Sequence, residues 1–478
     1  MAETFYWHDY ETFGVDPSRD RPVQFAGLRT DADLNVIGAP LVRYCQPARD
    51  VLPHPEACLV TGITPQLALE QGVIEAQFIA EIHRELAQPG TCSVGYNSIR
   101  FDDEVTRYTL YRNFYDPYAR EWKDGNSRWD IIDMLRLTHA LRPDGIVWPT
   151  GPDGRPSFRL ELLTAANGIE HAAAHDALSD VEATIAMARL VRERQPRLFD
   201  YALGMRNKRT VLQQLDLQAM KPVLHVSGMF GAERNSIALV APLAQHPNNK
   251  NEIICYDLAV DPAPLLDLDA DALRELLFAR SADLPEGALR PGLKSIHINR
   301  APVVVTPKLL DAATAERLGI DVEQCRAHRA SLRKAAGLVS KVQSIYSGRE
   351  MPPITDPDRM LYSGGFFSDA DRREMDRLRA ATPEQLATES FVFDDARVPE
   401  MLFRYRARNF PASLNEAERA QWEEYRFQYL TEPEAGAGIT LDSFHETIQR
   451  LAADPALGDE KQRVLASLLE YGDMLLAE

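Results

Sequence analysis

From Phe5 to about Pro196 the chain alternates short apolar runs with stretches of helical period, and no other feature constrains its fold as much. Phe5-Tyr6-Trp7, Phe25-Ala26-Gly27-Leu28, Leu41-Val42-Arg43-Tyr44 and Cys92-Ser93-Val94 have strand length. Two later patterns step by three and four: Val105, Tyr108, Tyr111, and then Ala177, Val181, Ile185, Ala188, Val191, which Pro196 stops. Strands interspersed with amphipathic helices predict an α/β domain with a mixed sheet.

The first apolar run ends on Asp9-Tyr10-Glu11. Side chains at i and i+2 of a strand point to one face, so Asp9 and Glu11 can jointly grip a hard divalent cation such as Mg²⁺. An Asp-x-Glu arises easily by chance in an acidic chain, so its meaning depends on partner carboxylates downstream. Asp102 supplies one, at the mouth of the first helical pattern. Asp180 supplies another, in the first turns of the second. His175 is five residues earlier, about 140° around an ideal helix from Asp180, so it is expected on the preceding loop, within reach of the same site. Taken singly, each has a plainer reading. Asp102 and Asp180 would be first-turn helix carboxylates favoured by the dipole, and His175 a surface loop histidine.

Asp9-x-Glu11, Asp102 in a Tyr-Asn-x-x-x-Phe-Asp setting and His175-x4-Asp180 together resemble the DEDDh 3′→5′ exonuclease superfamily. Longer strings resemble the bacterial exodeoxyribonuclease I family. They include His8-Asp9-Tyr10-Glu11-Thr12-Phe13-Gly14, Asn126-Ser127-Arg128-Trp129-Asp130, Ser157-Phe158-Arg159-Leu160-Glu161 and Gln195-Pro196-Arg197-Leu198-Phe199-Asp200-Tyr201. Beyond the nuclease part, His225-Val226-Ser227-Gly228-Met229-Phe230-Gly231, Gly365-Phe366-Phe367-Ser368-Asp369 and Tyr405-Arg406-Ala407-Arg408-Asn409-Phe410-Pro411 extend the likeness over nearly the whole chain.

That resemblance implies a ribonuclease H-like exonuclease domain followed by an SH3-like β-barrel domain and a C-terminal helical domain. It also implies processive 3′→5′ degradation of single-stranded DNA to 5′-mononucleotides, with two Mg²⁺ ions about 3.5–4 Å apart and Mn²⁺ as a substitute. Asp9 would bridge the ions, Glu11 and Asp180 would complete one site, and Asp102 the other. His175 would be the general base, for which an imidazole is suited near neutral pH. Glu11 would also meet the terminal sugar. Arg159, expected just inside a helix beginning near Ser157, would contact a substrate phosphate; its plainer reading is a surface pair with Glu161.

Length and charge bound the alternatives. At 478 residues the chain has room for about three domains: an exonuclease domain over 1–196, an SH3-like domain with attached helices over 197–347, a linker at 348–357 and a helical domain over 358–478. The strand-like pieces Val223–Val226, 237–240, 253–256 and Val303–Val305 underlie the second; Ser368-x-x-Asp371, Thr382-Pro383-x-Gln385 and the recurrences Trp422-Tyr425-Tyr429 and Val464-Leu468-Tyr471-Leu475 underlie the third. No signal peptide or membrane span is expected, and the five scattered cysteines fit a reducing cytoplasm rather than structural zinc. Nothing suggests an obligate oligomer, so a monomer is expected.

A net charge of −18 opposes nucleic-acid binding unless the distribution is uneven. Between Arg100 and Arg142 it is uneven: Arg107, Arg112, Arg120, Lys123, Arg128 and Arg136 interleave with Tyr108, Tyr111, Phe114, Tyr115, Tyr118, Trp122 and Trp129. Cations along a backbone with rings under bases are what hold a single strand, which makes Arg107, Tyr118 and Trp122 candidate contacts; the competing reading puts many of these rings in helix cores. Arg404, Tyr405, Arg406, Arg408 and Phe410 form a second such cluster. The resemblance further implies a partner, the acidic, apolar C-terminal tail of single-stranded-DNA-binding protein, with Lys221 and Arg333 at matching pocket positions. Asp311 and Val322 stand where further basic residues would align. RNA 3′-end trimming is the enzymatic alternative, a non-cutting clamp the other; no ligand of the acidic set is missing.

Overall fold

The structure is a computed structural model and describes residues 3–171, 175–285, 287, 289–348 and 353–477. By internal contacts the chain forms two compact units. One comprises Met1–Ser127, Ala172–Glu182 and Pro353–Glu478; the other comprises Arg128–His171 and Ala183–Pro352.

The first sheet is built from β1 (Thr4–Thr12), β2 (Pro22–Thr30), β3 (Val36–Tyr44), β4 (Thr91–Gly95) and β5 (Ser127–Asp130), in the order β3-β2-β1-β4-β5. β1 and β2 are antiparallel, as are β2 and β3, whereas β1 and β4 are parallel. The sheet is therefore mixed, as the alternating pattern predicts. Even-numbered side chains of β1 supply one face: Tyr6 and Tyr10 pack with Phe25, Phe78, Ile82, Val105 and Leu110. Odd-numbered Asp9 and Glu11 consequently face the other way.

Helices of the C-terminal segment share cores with this part of the chain. Phe13, Val23, Leu52 and Ile63 pack with Phe444, Ile448, Leu468, Tyr471 and Leu475, and Tyr108, Tyr111 and Phe114 pack with Met375, Leu378, Met401 and Tyr405. Local signals set the helix starts. Ser368 caps the Asp369–Ala380 helix, and Thr382 with Gln385 forms a capping box on Pro383–Thr388. The expected linker at 348–357 lies partly outside the described residues, at 349–352.

In the second unit, β6 (Val223–Val226), β7 (Ile237–Gln245), β8 (Glu252–Asp257), β9 (Leu293–His297) and β10 (Val303–Val305) form an antiparallel sheet in the order β10-β6-β7-β8-β9. β9 was not expected from the sequence, because Leu293-Lys294-Ser295-Ile296-His297 carries only two apolar residues. Among the described residues no helix is long and apolar enough to cross a membrane.

Candidate active site

β1 outruns its parallel neighbour. The last matched pair is Trp7 with Val94, so Asp9 and Glu11 extend beyond the carboxyl end of β4, where ligands of open α/β sheets bind. Asp102 opens the Asp102–Arg112 helix a few residues after β4. The Tyr10 N–H donates to its Oδ1 at 3.1 Å, which fixes this carboxylate against the strand between Asp9 and Glu11. Asp180 lies in the first turns of the Ala177–Arg194 helix, where the predicted stripe Ala177, Val181, Ile185, Ala188 and Val191 is buried, together with Ala183, Thr184 and Met187. His175 occupies the turn just before that helix, exposed and with φ of 66°, a left-handed backbone that histidine adopts more readily than most residues. Glu11, His175 and Asp180 bring ligand atoms within 4.8 Å of one another.

The charges here are of one sign. Burial raises the Asp9 carboxyl well above the usual carboxylate range, and Asp102, Glu11, Asp180 and Asp176 raise it further. Burial likewise lifts Glu11 to about 9, helped by Asp180, Asp102 and Asp176. Like carboxylates out of water are tolerated only with protons or cations among them. Carboxylate oxygens with one imidazole are a donor set that fits Mg²⁺ or Mn²⁺ and also accepts Zn²⁺. The residues present therefore fit a divalent metal.

Asp176 is a site residue that the sequence reading missed. Its Oδ1 accepts from the Ser179 N–H at 3.1 Å, capping the helix, and its Oδ2 accepts from Gln24 Nε2 at 3.3 Å. Gln24 pairs in register with Glu11 and also accepts from the Ala177 N–H at 3.2 Å. One glutamine thus clamps the start of the second helix to the strand that carries the acids. An Asp directly before a helical stripe is a capping signal; that reading conceals the second role.

Several expected substrate contacts are placed otherwise. Arg107 is buried, with its guanidinium bidentate on Glu121 at 2.7 and 2.8 Å and also donating to Glu104 and the Tyr362 hydroxyl. Its donors are committed inside the fold, which corrects its reading as a DNA contact. Arg112 and Arg120 are likewise buried, on Glu75 and Asp103. Tyr108, Tyr111, Phe114 and Trp129 are core. Trp122 is 67% exposed, and half-buried Tyr118 lies beneath Arg107 and edge-on to the exposed ring of Phe366. Arg159 is exposed and stands just outside the Leu160–Ala166 helix, at its N-cap position but making no side-chain capping hydrogen bond, and its Nε donates to Glu161 at 2.6 Å.

The second cation and ring cluster is structural. Arg404 and Arg408 are buried on Asp358, with Asp356 and Asp50 as further partners, Arg406 pairs with Glu418, and Tyr405 is core. A buried guanidinium spaced among aromatics has the same sequence appearance as a nucleic-acid groove. Lys221 and Arg333 are both exposed, and Arg329, one helical turn before Arg333, donates to the carbonyls of Ala219 and Met220 at 2.8 Å each. Asp311 caps the Ala312–Arg317 helix, and Val322 opens the Val322–Lys334 helix.

Three family descriptions match in sequence order: an exonuclease domain over residues 6–188, an exonuclease I SH3-like domain over 206–348 and an exonuclease I C-terminal domain over 355–475. Exodeoxyribonuclease I of Escherichia coli K12 is 50% identical over 477 residues, covering 100% of this chain and 99% of that protein. Exonuclease I from Methylocaldum szegediense matches with a TM-score of 0.95 and 53% identity, over 99% of this chain and 100% of its own. A zinc-bound complex of Escherichia coli exonuclease I with single-stranded DNA matches with a TM-score of 0.95 and 48% identity, over 100% of both chains.

Proposed function

The chain belongs to the exonuclease I family, and on that footing we propose that it removes nucleotides processively from the 3′ ends of single-stranded DNA, releasing 5′-mononucleotides. One observation carries this reading: Glu11, His175 and Asp180 converge from a strand, a loop and a helix on one point beside Asp9 and Asp102.

In this proposal Asp9, Glu11, Asp102 and Asp180 would hold two Mg²⁺ ions, Asp9 serving both, Glu11 and Asp180 completing one site and Asp102 the other. Bound divalent ions would supply activation of water and neutralise charge on the departing 3′ oxygen. His175 takes the proton from the attacking water; its exposed place on a loop gives it an outlet to solvent. Glu11 meets the terminal sugar. Asp176 and Gln24 hold the helix start so that Asp180 stays opposite Glu11. Trp122 and Tyr118 offer faces for bases. Arg159 reaches a phosphate by exchanging its Glu161 partner, a small cost for an exposed pair.

The family matches support reading 1–196 as the exonuclease domain, 197–347 as the SH3-like domain and 358–478 as the helical domain. We assign Lys221 and Arg333 to docking the acidic tail of single-stranded-DNA-binding protein, and read the chain as a cytoplasmic monomer. Titration of the tail peptide against wild type and Arg333→Ala tests the docking; equal affinities remove Arg333 from it.

Product analysis on strands labelled at either end, with Mg²⁺ and with EDTA, tests the whole reading. Mononucleotides released from the 3′ end only when Mg²⁺ is present are expected. Faster loss of a matched RNA would favour RNA trimming, and unchanged release by Asp180→Ala would remove the acidic cluster from catalysis.

A further inference from the structure

We propose that a cavity of about 440 Å³ between the Gln46–Arg49 loop and the end of the Val398–Asn409 helix is a binding site for a small phosphate-bearing anion, a nucleoside monophosphate being the form that fits its walls. Its volume falls in the range of small-molecule sites, roughly 300–1,000 Å³.

Most of the charges around the cavity are engaged elsewhere. Arg21, Arg49, Arg408 and Arg419 line it against Glu75 and Glu423. Arg408 is already neutralised by Asp50 and Asp358, and Glu75 is engaged by Arg112 at 3.1 Å and Asn113 at 2.9 Å. Glu423 pairs with Arg426. Arg21 is different. It is 6% exposed, and among the described residues none accepts a hydrogen bond from its Nε or Nη1, although Glu75 and Asp358 lie close enough for its charge to lower their pKa values. Buried guanidinium donors left without an acceptor are costly, whereas donors that meet an anion form strong, charge-assisted hydrogen bonds. The forked donors of arginine suit phosphate oxygens. Trp422, stacked on Tyr425, gives the cavity an aromatic wall, and Leu69 and Ile74 continue it with aliphatic surface. A phosphate on Arg21 with a base against that wall uses both halves. None of these residues belongs to the acidic cluster, so the proposal stands or falls apart from the nuclease reading.

Calorimetry and thermal shift on the full chain in EDTA test it, with thymidine 5′-monophosphate, inorganic phosphate and thymidine as probes. Without metal the acidic cluster repels phosphate. Both phosphate probes are expected to bind and to raise the melting temperature, thymidine is not, and Arg21→Met is expected to weaken both phosphate probes at least tenfold. Arg21→Met removes no hydrogen bond made by Nε or Nη1, so it should itself fold; should it not, Arg419→Met is read in its place. A monophosphate tighter than phosphate supports the nucleoside seat at Trp422, and equal binding supports the phosphate seat alone. Binding that survives both substitutions, thymidine binding as well as its monophosphate, or no binding of either phosphate probe would overturn the proposal.

Discussion

Glu11 is lifted to about 9 by burial and by the carboxylates around it, so without a divalent cation it is protonated in the folded chain and ionised in the unfolded one above its ordinary value. Folding then takes up a proton. The stability contribution is full below the ordinary carboxylate value and is lost as pH rises towards 9. Melting temperature in EDTA should therefore fall from pH 5 to pH 9, and Glu11→Gln should flatten that slope and stabilise the metal-free chain at pH 8 by about 1–2 kcal/mol. Excess Mg²⁺ should flatten it too, since ligand at a hundredfold its Kd adds about 2.7 kcal/mol. His175→Ala is expected to slow nucleotide release by about 10²–10⁴-fold while leaving single-strand affinity intact. Asp176→Asn acts indirectly, by loosening the helix start, and should weaken Mg²⁺ affinity by about 10–100-fold, read by metal titration of activity. The five acidic and histidine candidates were legible because their flanks lie next to each in the chain. Asp176 was hidden, since its link to Gln24 joins residues far apart in sequence.

At the scale of elements, local grammar predicted helix starts well. Thr382 and Gln385 form the capping box that their spacing indicates, and Thr382→Ala should cost about 1 kcal/mol in denaturant unfolding. Side-chain partners between elements were less legible. Arg404, Arg406 and Arg408 resembled a nucleic-acid patch, yet each is bound to carboxylates from other segments. Burial would raise the Asp358 carboxyl, but Arg408 and Arg404 hold it well below its ordinary range. Its contribution is thus present above about pH 4 and lost on acidification. Asp358→Ala leaves two guanidinium groups buried with their shared partner removed and should cost about 3–5 kcal/mol by chemical unfolding, far more than loss of a cap.

At the scale of the molecule, the compact units cut across the order of the chain, since the first 127 residues close a hydrophobic core with the last 126. A fragment of residues 1–196 would expose Phe13, Val23, Leu52, Tyr108 and Tyr111, whose neighbours include Phe444, Leu468 and Met401. It should aggregate on a sizing column, whereas the full chain stays dispersed. The sequence by itself determined the strand and helix alternation, the helix caps, the acidic candidates with their histidine, and the kinship of the chain, because each depends on residue type at short spacing. Tertiary structure alone decided which arginines and rings are exposed. Arg107 and Trp122 look alike as candidates on the page, but one is locked on Glu121 and the other faces solvent. It also decided that Arg21 is buried with its Nε and Nη1 bonded to no acceptor among the described residues. Burial and pairing depend on segments hundreds of residues away, and no local spacing encodes them.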